Sequence, residues 1–170
     1  MDSYLIRPVI SEDASQFLIL WDALDTETEF MLFAPGERRA TLKQQTDQLK
    51  QSIQSEFSAV FVLEETNLAE ISGFIGCRQN TRQRDQHSAQ IVIGIKQIHT
   101  GKGWGRKLLQ AAENWAINRN IHRLELSVMA NNYIAVNLYK SFGFQIEGTK
   151  RDAVKLESGY FDEHVMGKLL

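Results

Sequence analysis

The apolar and polar positions change period several times along the chain, and each change predicts an element. Tyr4 to Val9 reads as a short strand, with Pro8 placing it at an edge or a strand end. Ser11, followed by Glu12 and Asp13, reads as a helix cap, and Phe17, Leu18, Leu20, Trp21 and Leu24 mark the apolar side of the helix behind it. From Asp25 to Arg39 the periodicity lapses, with Glu27, Glu29 and Glu37 mixed among Phe30, Met31, Leu32 and Phe33. A second helix is predicted over Thr41 to Ser52. Ala59 to Leu63 and Ile71 to Cys77 are β-branched and aromatic runs joined by the polar stretch Glu64 to Glu70, the pattern of an antiparallel hairpin.

After a polar connection from Asn80 to His87, Gln90 to Ile95 is apolar on both sides, as a buried central strand should be. Gly94 near its end predicts a bulge that splays this strand from its neighbour. Leu108, Leu109, Ala112, Trp115 and Ala116 give one apolar face to a helix from about Gly103 to Arg119. His122 to Met129 alternates as a strand. Asn132 caps a helix running to Phe142, and Gly143 closes it. Phe144 to Glu147 begins a late strand and Tyr160 to Leu169 supplies the last, with a bent hairpin around Leu156 to Phe161.

Length and composition narrow this picture. At 170 residues and 43% hydrophobic content, one domain over residues 1–170 is expected. The net charge of −2 argues against a general nucleic-acid or anionic-membrane surface. Cys77 is the only cysteine, which rules out an intrachain disulfide and a zinc cluster. No run of about eighteen apolar residues exists, and Asp2 stands where a signal peptide would be basic, so a cytoplasmic, soluble protein is expected.

The stretch His99-Thr100-Gly101-Lys102-Gly103-Trp104-Gly105-Arg106-Lys107 carries the first chemical signal. Its glycines permit positive φ and close approach of a ligand, and the helix that starts inside it has free N–H groups and a positive dipole end. Loop and helix together form an anion cradle. Arg106 and Lys107 oppose the helix dipole unless an anion lies nearby. The order G-x-G-x-G matches neither a Walker loop nor the dinucleotide fingerprint.

The second signal is Asn132-Tyr133-Ile134-Ala135-Val136-Asn137-Leu138-Tyr139-Lys140-Ser141-Phe142-Gly143-Phe144. With the glycine loop some thirty residues before it, the chain resembles the GCN5-related N-acetyltransferase superfamily, in which acetyl passes from acetyl-CoA to an amine. The loop resembles that family's [QR]-x-x-G-x-[GA] pyrophosphate loop, with Thr100 where Gln or Arg is usual. The later stretch resembles its N-x-x-A-x-x-L-Y-x-x-x-G-F motif. The resemblance implies an α/β fold of the α+β type, with a mixed, mostly antiparallel, splayed sheet of about seven strands and about four helices. It implies acetyl-CoA as co-substrate, a small-molecule amine acceptor, and no metal. It further implies cofactor contacts from the main chain of Ile93 and Ile95, from Thr100 to Arg106, and from Asn132, Asn137 and Tyr139. Homodimers are common among relatives.

Acetylation of an amine needs a neutral nitrogen and a proton for the departing thiolate. By the resemblance, Tyr139 is the acid and Asn132 orients the cofactor or a water. The strand glutamate of many relatives is missing, since Gln90 stands in that region, so a water relay is the first choice of base, with Glu29 and His87 as alternatives. Cys77 lies in an apolar strand without a basic neighbour and reads as a core thiol. Glu29, Phe30 and Tyr160 are the acceptor-side candidates, although the aromatics of that stretch could equally pack and its acids be solvated. A free amino acid or other small amine is the expected acceptor, a peptide or protein N-terminus the alternative, and a CoA-ester sensor without turnover the rival class.

Overall fold

The computed structural model describes residues 4–170. In chain order its elements are β1 (Tyr4–Pro8), α1 (Ala14–Glu27), α2 (Leu42–Gln54), β2 (Ser58–Glu65), β3 (Glu70–Gln79), β4 (Ser88–Ile95), α3 (Trp104–Asn118), β5 (Arg123–Met129), α4 (Tyr133–Ser141), β6 (Gln145–Leu156) and β7 (Gly159–Leu169). The strands form one seven-stranded sheet in the order β1-β2-β3-β4-β5-β7-β6. Every neighbouring pair is antiparallel except β4 and β5. This is the mixed, mostly antiparallel sheet with four helices that the resemblance implied.

Alternation along the central strands sends side chains to two layers. On one face Ile75, Cys77, Ile91 and Leu124 pack against Leu108, Leu109 and Ala112 of α3 and Val136 of α4. On the other, Val62 and Phe74 pack against Phe17, Leu20 and Leu24 of α1 and Leu49 of α2. Burial of these side chains contributes on the order of 1.5–3 kcal/mol each, which is what holds helices of modest intrinsic stability to the sheet.

The entry to α1 departs from expectation. Ser11–Asp13 forms a single 3-10 turn, and it is Asp13 rather than Ser11 that organises it. The Asp13 carboxylate accepts the Ile10 N–H at 2.9 Å and two hydrogen bonds from Arg7 at 2.8 Å, while Arg7 also pairs with Glu64 of β2. Burial works to raise the Asp13 carboxyl, but the Arg7 and Ile10 donors outweigh it and hold the group below its ordinary range. A partner on the preceding strand is invisible to a local capping rule.

Gly94 also plays a different part. The β3–β4 register runs without a break from Gln79↔Ala89 to Gly73↔Ile95, so β4 has no bulge on that side. Instead Gly94 makes room for α1: a Cβ there would lie 2.7 Å from Leu24 Cδ1 and 2.9 Å from Phe74 Cε1. The late strand is longer than the Phe144 to Glu147 start suggested, and Phe144 itself is buried ahead of it. The bend of the last hairpin falls between Lys150 and Val154, upstream of the Leu156 to Phe161 stretch, where the register shifts and Asp152 takes φ 52°.

Gly94→Ala should therefore destabilise the protein by about 1–3 kcal/mol in denaturant unfolding, the range for overpacking a core; an unchanged midpoint would show that α1 does not press on this position. Cys77 is buried in β3, and burial pushes its thiol up to about 12. Native protein should resist alkylation at pH 8 and react fully in denaturant, whereas rapid native labelling would contradict this placement.

Candidate functional site

The parallel pairing of β4 with β5 lasts for three residue pairs, Ser88↔Arg123, Ala89↔Leu124 and Gln90↔Glu125, and then stops. Beyond Gln90, β4 keeps only its β3 partner, while β5 continues along β7. The two strands diverge, and the edge of β4 from Ile91 to Ile95 has no ladder partner on the β5 side. Unpaired main-chain donors and acceptors on such an edge favour an extended ligand that pairs like a strand. Ile93 and Ile95 lie on this stretch, partly buried against the α3 and α4 layer.

The glycine loop closes the wide end. After β4, Gln97–His99 makes a 3-10 turn, and Thr100 folds back so that its hydroxyl donates to the Gln97 carbonyl at 2.8 Å. Thr100 thus locks the turn. Gly101 and Gly103 take φ of 71° and 83°, and a Cβ at either would meet nothing within 4 Å, so these glycines serve backbone conformation and leave the loop face open. Gly105 differs: it is buried in α3, where a Cβ would lie 2.7 Å from Leu138 Cδ2 of α4 and 3.7 Å from Ile95 Cδ1. One glycine therefore brings β4, α3 and α4 together.

Tyr4, which the sequence reading placed only in a strand, and His99, the first residue of the glycine stretch, anchor this loop. The Tyr4 hydroxyl lies 3.2 Å from His99 Nδ1, and the Tyr4 ring sits 5.4 Å from the His99 ring and 5.0 Å from that of Trp104. His99 is buried, and burial followed by the charges of Lys102 and Lys96 lowers its basicity. Trp104 belongs to the core, with Lys107 Nζ 4.2 Å over its ring. The first turn of α3 has neither an acidic residue nor a side-chain cap. Lys102 and Arg106 are exposed beside it, and Arg106 reaches the Ser141 carbonyl at 3.3 Å. Positive dipole end and free N–H groups converge with Lys102 and Arg106, which make no ion pair among the described residues, a combination that suits a pyrophosphate.

Tyr139 is on α4, 6% exposed, with its ring edge-on to Phe144 at 6.0 Å. Burial raises its phenol well above the ordinary tyrosine value. It shares a core cluster with Ile91, Leu126 and Val128, which flank the point where β4 and β5 part. Asn132 caps α4, its side-chain oxygen accepting the Ala135 N–H at 3.2 Å, and Asn137 is exposed on the same helix.

On the opposite face, a cleft of about 510 Å³ lies between α1, the segment 28–41, α2 and the sheet, with Gly76 and Val92 at its floor. Val92 adjoins Ile93, so the cleft and the strand opening meet at β4. Glu29 and Phe30 are exposed on the segment and do not line the cleft; Tyr160 is 61% exposed at the start of β7, and His87 is exposed ahead of β4. The residues that do line it include Trp21, Asp25, Phe33 and Arg38. Arg38 Nε donates to Asp25 Oδ2 at 2.6 Å, and its guanidinium carbon lies 4.0 Å from both the Trp21 and Phe33 rings. The spacing of Trp21 and Asp25, four apart on one helix, and the Arg38-Arg39 pair were the available signals.

Comparison with known proteins agrees with this geometry. Residues 20–144 match the acetyltransferase (GNAT) family model. An L-amino acid N-acetyltransferase of Escherichia coli K12 is 26% identical over 104 residues, 59% of this chain and 62% of that protein. A spermidine N(1)-acetyltransferase of Vibrio cholerae is 39% identical over 62 residues, 36% of each chain. The match thus spans less than two thirds of either relative. A GNAT-family acetyltransferase structure from Streptococcus pneumoniae superposes with a TM-score of 0.92 at 28% identity, covering 98% of this chain and 99% of the other. The chain belongs to the acetyltransferase (GNAT) family.

Proposed function

We propose that this protein moves the acetyl group of acetyl-CoA to the amine of a small acceptor by direct attack, with Tyr139 protonating the departing thiolate. The observation that carries this reading is the divergence of β4 and β5 after three pairs, with the glycine loop at its wide end. The main chain of Ile93 and Ile95 is available to the pantetheine arm. The loop from Thr100 to Arg106 is available to the pyrophosphate. Asn132 fixes the start of α4 and hence the approach of Tyr139.

In the reaction the N–C bond forms as the C–S bond breaks. The amine gives up a proton to water; Glu29 and His87 do not line the cleft. Tyr139 supplies a proton to the sulfur and regains one from solvent. A phenol raised by burial remains protonated through the physiological range. It can give up that proton because the same dry surroundings also raise a thiolate's affinity for protons. Proximity of the two substrates supplies more of the rate than any one side chain.

The acceptor enters from the cleft whose floor is Val92. Relatives that act on L-amino acids and on spermidine support a small amine as acceptor. Tyr139→Phe preserves the ring and its packing, so acetyl-CoA affinity should hold while acetyl-CoA-dependent thiol release falls by about 10²-fold or more, the lower range for a placed acid. Unchanged turnover would remove Tyr139 from the reaction.

A further inference from the structure

The cation in the cleft is held in an uncommon way. Arg38 comes from the irregular segment between α1 and α2, yet its guanidinium is fixed on three sides: Trp21 and Phe33 sandwich it at 4.0 Å each, and Asp25 receives its Nε. Asp25 is 3% exposed, a cost that only a paired cation offsets. Arg–carboxylate pairs are frequently bidentate, with two parallel N–H···O bonds that engage both carboxylate oxygens, as Arg7 does with Asp13. Here a single Nε–Oδ2 contact does the holding. Asp25 Oδ1 is buried without a partner, and Nη1 and Nη2 of Arg38 make no hydrogen bond among the described residues. The flat faces and the inner edge of the guanidinium are used for positioning, while the outer edge, with its four N–H donors, remains free in a cleft that Arg38 lines.

We propose that Arg38 reads the carboxylate of the acceptor, so that the acceptor is a free amino acid rather than a polyamine or a simple alkyl amine. The proposal names the acceptor class and in that respect rests on the acetyl-transfer reading. Guanidinium and carboxylate match in plane and spacing, and preorganisation by Trp21, Phe33 and Asp25 removes most of the rotamer entropy that an exposed arginine would lose on binding. Val92 lines the same cleft and adjoins Ile93, so a carboxylate held by Arg38 leaves the rest of the acceptor directed along the floor toward the opening beside β4. Asp22 and Glu37 line the cleft as well as Arg39, so the net charge of the lining does not choose between acceptors, and the selection lies in the donors of Arg38. Asp25 is a positioning residue: it acts through Arg38.

The test separates binding from turnover. Protein saturated with CoA, which cannot react, is titrated by calorimetry with L-leucine, L-methionine and L-phenylalanine and with the carboxamide of each. Wild type should bind at least one acid about 10- to 100-fold more tightly than its amide, the range for charge-assisted hydrogen bonds. R38M should abolish that preference while leaving the affinity for CoA unchanged. R38K, which keeps the stem and the charge but not the fork, should keep part of it, and it guards against misfolding in R38M. Equal affinity for acid and amide, binding of neither, or a preference undiminished in both variants overturns the proposal. Acetyl transfer measured on the same panel reports separately: a carboxylate preference lost in R38M without any acetylation supports Arg38 recognition and refutes the transferase reading instead.

Discussion

The structure depends on a failure of pairing at its centre. Parallel strands usually continue side by side under helical cover, yet β4 and β5 share only three pairs before they part. Main-chain donors and acceptors need partners, so a strand edge left unpaired in this way needs either water or a ligand along it. The rest of the chain is arranged around that gap. β3 supports β4 along its whole length from the other side, β7 does the same for β5, and the α3 and α4 layer closes over the apolar residues at the fork.

Loop and gap are coupled through packing rather than through the sequence between them. Tyr4 of the first strand reaches His99 and Trp104, Glu27 of α1 accepts the Gln97 N–H at 2.7 Å, and Gly105 lets α3 approach Leu138 of α4. Each contact joins segments distant in the chain. The loop can therefore display its N–H groups with little ordering left to be done on binding. On the other face, the cleft beside α1 gains its definition from Arg38 against Trp21 and Phe33, so the cleft and the strand opening meet at β4 from opposite sides of the sheet.

Much of the fold was legible because its elements are strongly periodic. The alternation of Leu124, Leu126 and Val128, the apolar face of α3, and Asn132 as a cap all appear where the residue pattern put them. The misreadings share one physical origin. Ser11 and Gly94 were assigned by local rules, but Asp13 is recruited by Arg7 from the preceding strand, and Gly94 answers to Leu24 and Phe74 across the sheet. Around the segment that carries Glu29 and Phe30, residues from its two flanks, Trp21 and Asp25 on one and Phe33 and Arg38 on the other, converge in the cleft. Tyr4 stands in no motif, and its partner His99 lies 95 positions away in the chain. Long-range partners leave no spacing signature in a single sequence.

The most direct measurement is backbone amide exchange with and without acetyl-CoA. Binding in the gap between β4 and β5 should slow exchange at residues 91–95 and across Gly101 to Arg106, with little change in β6 or α2. Stoichiometric binding that leaves those two stretches unprotected, or that protects another part of the sheet, would contradict the account.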